Sequence, residues 1–106
     1  MIGSPDQPIA QGEVFEVQIG KARHRVVVVS NDVHNTVFVP WVVPIRHGRR
    51  EAWPYAVPLV DADPFGGTAD VSRLLTRLRV TGQPLGMITG ATMQRLREAI
   101  AAVIAG

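Results

Sequence analysis

Two short runs of this sequence carry side chains able to do chemistry on a phosphate group. The first is Lys21-Ala22-Arg23-His24-Arg25; the second is Arg46-His47-Gly48-Arg49-Arg50, which lies between Trp41 and the pair Trp53 and Tyr55. An imidazole exchanges protons near neutral pH, and a guanidinium grips phosphate with a planar fork of donors. Arg23, His24 and Arg25 therefore combine proton transfer with anion binding over a very short stretch of chain. The second run sets phosphate-neutralising arginines beside rings on which planar groups can stack. Each run also reads as a solvated basic turn, since charged runs usually face water. The two tryptophans suit core or interface packing as well as stacking.

Other chemistry is thinner. His24, His34 and His47 contain no helix-spaced pair, and cysteine is absent, so a thiolate nucleophile, a disulfide framework and a Cys-ligated zinc are excluded. No metal and no cofactor are expected. Asp61 and Asp63 sit in a turn rich in Pro and Gly, where hydrogen bonds to backbone explain them better than paired acid-base work. Ser30 lacks the surroundings of a nucleophile elbow, and there is no Gly-rich phosphate loop.

The elements that must position these side chains are mostly strands. Residues 1–11 contain Pro5 and Pro8 and show no period, so they read as a flexible lead-in to a single domain over 12–106. Phe15, Val17 and Ile19 alternate along Glu13 to Ile19, which predicts a half-buried strand. Lys21 to Arg25 is then a basic connection feeding Val26 to Val29, a β-branched run suited to a central strand covered on both faces. Ser30-Asn31-Asp32 turns the chain, and Val37 to Val43 predicts a further strand, at an edge or bulged because of Pro40 and Pro44.

After the polar loop at Arg46 to Glu51, Tyr55 to Val60 resumes β character and Asp61 to Gly67 is dense in turn residues. Thr68 to Val80 reads as a strand leading into a short helix, and Leu85 to Ile88 as a last short strand. Thr89 is placed to cap a helix from Ala91 to Ile104, whose buried stripe is Met93, Leu96, Ile100 and Val103. Strands in sequence closed by one helix imply a mainly β fold, a small barrel with the helix packed against it.

Composition sets the outer bounds. Of the 106 residues 46% are apolar and 19% charged, enough apolar material for one compact core. The net charge is only +2, but the eleven basic residues are ten arginines and one lysine, compatible with a polyanionic partner and equally with genomic base composition. No apolar run approaches the roughly 20 residues needed to span a bilayer, and the first residues do not resemble a secretory leader, so a cytoplasmic location is expected.

Three segments in order resemble the MazF/PemK class of bacterial toxins. Gly12-Glu13-Val14-Phe15 resembles the family's opening strand, and Val26 to Asp32 with Asn35 its apolar strand followed by Ser-Asn-Asp and a later Asn. Thr89-Gly90-Ala91-Thr92-Met93 resembles its C-terminal helix entry. The resemblance implies an SH3-like barrel of the CcdB/PemK type with a C-terminal helix, a homodimer, and metal-independent endoribonuclease action on single-stranded RNA at a short recognition sequence. It also implies a cognate antitoxin as partner. In that register His24 stands where the family has its catalytic arginine and Arg25 where it has proline; a slip of one residue would bring Arg23 or Arg25 there instead. Val43 to Arg46 occupy the neighbourhood of the family's Thr or Ser, and Ser72 the position of its Asp.

Cleaving RNA without metal requires a 2′-hydroxyl to lose its proton, the 5′-oxygen to gain one, and the charge on phosphorus to be stabilised. His24 and Arg25 are the catalytic candidates. Arg23, Arg46, Arg49, Arg50, Trp53, Arg77 and Arg79 are the RNA-binding candidates. Two alternatives stand beside this reading: a non-catalytic toxin similar to the CcdB gyrase poisons, which act through the end of the C-terminal helix, or a degenerate member that binds only antitoxin.

Overall fold

In the computed structural model the chain is described over residues 8–48 and 55–105. Strand β1 (Glu13–Ile19) turns at Gly20 and Lys21 into β2 (Ala22–Val28), with Ile19 paired to Ala22. Gly20 has φ +62°, a conformation that glycine adopts without a Cβ penalty. The basic segment is thus not a connection: Arg23, His24 and Arg25 belong to β2 itself, paired with Gln18, Val17 and Glu16. Charged residues are admitted here because this end of the strand is open to water, whereas Val26 to Val28 are buried on both faces as the apolar run implied.

Helix α1 (Asp32–Val37) follows where a simple turn was expected. The Asn31 carboxamide oxygen accepts the His34 N–H, satisfying one of the free donors of its first turn. A helix this short has no room for an apolar period, and none of its residues is buried. Consequently the next strand starts five residues later than the pattern Val37 to Val43 suggested: β3 spans Val42–Arg46.

It is also internal rather than peripheral. The sheet order is β4-β5-β3-β2-β1-β6, every neighbouring pair antiparallel, where β4 is Ala56–Pro58, β5 Thr68–Asp70 and β6 Gly86–Met87. Pro44 is tolerated because Val42 turns its N–H and C=O away from β2 to Leu75, and alternate residues of a strand point the same way. The missing N–H of Pro44 therefore faces the gap between that Leu75 bridge and the β5 ladder, which begins at Ile45.

A 3-10 turn over Val71–Arg73 follows β5, and α2 (Gly90–Ala105) closes the fold, its first turn capped by the Thr89 hydroxyl accepting the Thr92 N–H at 3.2 Å. One face of the curled sheet, with Val14, Val27, Val43 and Ala69, packs against Met93 and Leu96 of α2. The other, with Phe15, Val17, Val26 and Val28, is covered by Ile9, Leu75, Leu78 and Val80. Full burial of each such side chain contributes about 1.5–3 kcal/mol. The helical stripe is shorter than its sequence suggests: Ile100 is half-buried, and Val103 is 44% exposed because the last turn runs past the sheet.

The result is the mainly β barrel with one C-terminal helix that the strand pattern implied. Of the lead-in, residues 1–7 lie outside those described. Gln11 is tied to the domain, its N–H donating to Asp32 and its amide to the Val29 carbonyl.

Candidate functional site

The β2–β3 ladder ends at the pair Arg25–Ile45. Beyond it β2 continues alongside β1 as far as Ala22, and β3 continues to Arg46 alongside β5. An open groove of about 380 Å³ lies at this fork, lined by Glu16, Arg23, His24, Arg25, Ile45, Arg46, His47 and Gly66. The two basic runs of the sequence, some twenty residues apart, are thereby brought together.

Strand pleat decides which groups meet. His24 shares a face with Val26 and Val28, while Arg23 and Arg25 share the opposite face with Val27. Continued by one residue, the register that pairs Arg25 with Ile45 sets His24 against Arg46 on the same face. Continued by two, it sets Arg23 against His47. Both imidazoles and the guanidinium groups of Arg23, Arg25 and Arg46 line the groove that opens there.

The arginines differ in their surroundings. Arg23 donates from Nε to Glu16 Oε2 at 2.7 Å, and the hydrogen bond and charge of Arg23 hold the Glu16 carboxyl below its ordinary value. Arg46 Nε lies 3.7 Å from Oδ2 of Asp70, whose Oδ1 accepts the Ser72 hydroxyl. Arg25 belongs to neither of these ion pairs, the two found among the described residues; its guanidinium carbon sits 4.3 Å from the centroid of the Phe65 ring. A cation held over a ring keeps its outward donors free for a phosphate.

The support beneath the groove comes from the turn at residues 61–67. Asp63, 8% exposed, accepts the N–H of Val60, the N–H of Thr89 and the hydroxyl of Thr92, which locks this turn to the start of α2. Burial pushes its carboxyl up, but the bonds from Thr89, Thr92 and Val60 outweigh it and the net shift is downward. Farther along the turn, Gly67 has φ +119°, and a Cβ there would come within 2.5 Å of the Arg46 carbonyl oxygen. Thr68 donates its hydroxyl to the Gly48 carbonyl, fixing the chain just past His47.

The Ser-Asn-Asp run with its later Asn is a structural device. Ser30 Oγ donates to Asn35 Oδ1 and accepts the Trp41 N–H, and Asn35 Nδ2 donates to the carbonyls of Ile9 and Ser30.

Of the candidate residues, Arg23, His24, Arg25 and Arg46 meet in the groove. Arg49, Arg50 and Trp53 lie outside the described residues. Arg79 borders a separate groove with Val37 and Phe38, and Arg77 is exposed on the segment that covers the second face of the sheet; neither lines the basic groove. Glu16 and Gly66, together with Asp70 behind Arg46, are the site residues that sequence reasoning did not single out, while His47 stood in the second basic run without being assigned a role. Glu16 had a usable signal, because a tight turn at Gly20 and Lys21 sets it opposite Arg25. Among the described residues no group of three or more His, Asp and Glu side chains gathers as a metal site, and no helix is long and apolar enough to cross a membrane.

The fold has known counterparts. It is similar to an endoribonuclease from a mycobacterial species in complex with its cognate antitoxin, with 25% identity, a TM-score of 0.80, and 92% of this chain and 95% of that one covered. A second mycobacterial endoribonuclease has 24% identity and a TM-score of 0.81 over 93% of each chain. A MazE–MazF complex from Deinococcus radiodurans has 13% identity and a TM-score of 0.74, covering 93% of this chain and 97% of that one. No curated protein sequence matches the chain significantly. The sequence model of the PemK-like, MazF-like toxins of type II toxin–antitoxin systems matches residues 10–104, nearly the whole chain, which therefore belongs to that family.

Proposed function

We propose that this chain is a toxin that cleaves single-stranded RNA at the fork between β2 and β3, at a short recognition sequence and without a metal ion. The observation that carries the reading is the convergence of Arg23, His24, Arg25 and Arg46 in one open groove. His24 exchanges a proton with the 2′-hydroxyl or the 5′-oxygen. Arg25, steadied over Phe65, holds the scissile phosphate and stabilises the charge that builds on it. Arg23 and Arg46, each beside a carboxylate, bind neighbouring phosphates and release their acidic partners as they do so. Arg49, Arg50 and Trp53, which follow His47 in the sequence, bind further RNA phosphates and bases; Arg77 and Arg79 contact flanking phosphates.

The cognate antitoxin covers the groove with an acidic, partly disordered tail, complementary to its cationic lining. The working form is a cytoplasmic homodimer, and exposed Val33, Phe38 and Ile104 supply apolar surface for assembly. Purified protein incubated with RNA and EDTA is expected to give fragments with 5′-hydroxyl ends. Intact RNA across varied sequences would overturn the reading. A second reading, a CcdB-like toxin that binds a topoisomerase, draws on the exposed end of α2, where Ile104 is 79% exposed; copurification with a topoisomerase in place of cleavage separates the two.

A further inference from the structure

We propose that Glu16 reads a guanine beside the cut site, its carboxylate accepting the N1–H and the 2-amino group of that base. The inference rests on the RNA-cleavage reading and adds a specificity-determining residue to it.

Strand pairing places the carboxylate. Glu16 of β1 stands directly across from Arg25 of β2, and opposite residues of an antiparallel pair share a face. Arg23, two residues along β2, lies on that face as well and reaches Glu16 diagonally, Nε to Oε2 at 2.7 Å. The Glu16 side chain is 40% exposed and lines the groove together with both arginines. An acceptor is thus set among the cations that are to hold phosphates.

A phosphate cannot occupy the position facing this carboxylate, because like charges in apposition repel. What Glu16 can take from RNA is an N–H donor, and in a single strand the bases are free to turn their Watson–Crick edges to the protein. The hydrogen bond from Arg23, its charge and the charge of Arg25 outweigh desolvation and hold the carboxyl below its ordinary value. Near neutral pH the group is therefore ionised and only accepts, with room for about four hydrogen bonds of which Arg23 takes one. As Arg23 turns to a phosphate, the carboxylate it leaves requires donors in its place.

Guanine meets that requirement because its Watson–Crick edge sets two N–H donors side by side. Adenine and cytosine offer an amino group next to a bare ring nitrogen, whose lone pair would confront the second carboxylate oxygen. Uracil offers a single N–H between two carbonyls. A site that leaves an acceptor facing an acceptor rejects such bases strongly.

The test begins with a long RNA of mixed sequence incubated with the full chain and EDTA, whose cut sites are expected to share guanine at one fixed position. Oligonucleotides carrying such a site are then made with guanosine or inosine there; inosine lacks the 2-amino group and keeps N1–H and O6. The wild-type kcat/KM is expected to fall about 10- to 100-fold with inosine, the loss of one hydrogen bond to a charged group. In Glu16→Gln the amide pairs equally well with N1–H and O6 of either base, and in Glu16→Ala no acceptor remains. For both variants the guanosine-to-inosine ratio of kcat/KM should therefore drop toward unity, and thermal unfolding shows which of them is folded and decides the matter. A role for Glu16 confined to holding Arg23 would lower both substrates alike and leave the wild-type ratio intact, which overturns the inference. Cut sites without a shared guanine, or a wild-type protein indifferent to inosine, overturn it while RNA cleavage stands. A wild-type protein that leaves RNA uncut overturns this inference and the function together.

Discussion

The guanidinium carbon of Arg25 lies 4.3 Å from the centre of the Phe65 ring. The contact joins the candidate chemistry to the stability of the fold. Phe65 follows Asp63 in the turn that is pinned to α2 by the Thr89 and Thr92 bonds, so the helix start, the turn and the phosphate-facing arginine form one mechanical chain.

Replacing Phe65 with leucine keeps apolar volume and removes the ring beneath the cation. A contact of this kind is worth about 0.5–1 kcal/mol near the surface. Binding of an RNA with a 2′-deoxy sugar at the cut site, which cannot be cleaved, is therefore expected to weaken by about two- to fivefold in a titration at a temperature where the variant is fully folded, since Phe65 also packs against the core. Unaltered affinity would show that Phe65 does not position Arg25.

Asp63→Ala leaves the Thr92 hydroxyl and the N–H groups of Val60 and Thr89 without their acceptor. The expected loss is about 2–3 kcal/mol, measured by urea unfolding. Because the folded-state carboxyl is held below its ordinary value, its stabilisation is complete above the unfolded-state titration at about pH 4 and is lost as the pH falls through the lower, folded-state value. Wild-type stability should thus fall on acidification through this range, and the Asp63→Ala protein should show a shallower dependence.

Gly67→Ala places a methyl group against the Arg46 carbonyl at a φ of +119°. The variant should lose about 2 kcal/mol or more, lowering the unfolding temperature by roughly 10 °C in a domain of this size. Gly66→Ala is the control for stability, since nothing lies within 4 Å of the Cβ it would introduce. Equal unfolding temperatures for the two variants would contradict the close approach of the turn to β3.

Arg25→Gln should reduce the salt dependence of RNA binding as well as the affinity. Removing one cation that touches a phosphate of a single strand lowers the slope of log K against log salt by about 0.7. Binding isotherms at several salt concentrations, again with an uncleavable RNA, read this directly. An unchanged slope would mean that Arg25 does not touch phosphate.

Much of the frame is legible in the sequence because burial writes it there. Alternation at Phe15, Val17 and Ile19 marks β1, the valine run marks the centre of β2, and Met93 and Leu96 mark the inner face of α2. Features decided by single local bonds are harder to read. Helix α1 depends on the Asn31 cap rather than on any apolar period, and with it goes the true start of β3. Pro44 suggests an edge strand, yet its missing donor falls where no ladder bond is needed. The site is half legible: Arg23, His24, Arg25 and Arg46 stand out by type, but the pleat that separates His24 from the flanking arginines and the carboxylates of Glu16 and Asp70 beside the cations emerge only from the pairing of strands.

The claim on which the account turns is that RNA occupies the fork between β2 and β3. Two-dimensional NMR of the labelled protein, titrated with an RNA made uncleavable by a 2′-deoxy sugar at the mapped cut site, tests it most directly. The account predicts shifts concentrated at His24, Arg25, Ile45, Arg46, His47 and Gly66. Shifts confined to the far surface around Val33, Trp41 and Ile104, with the fork unperturbed, would contradict it.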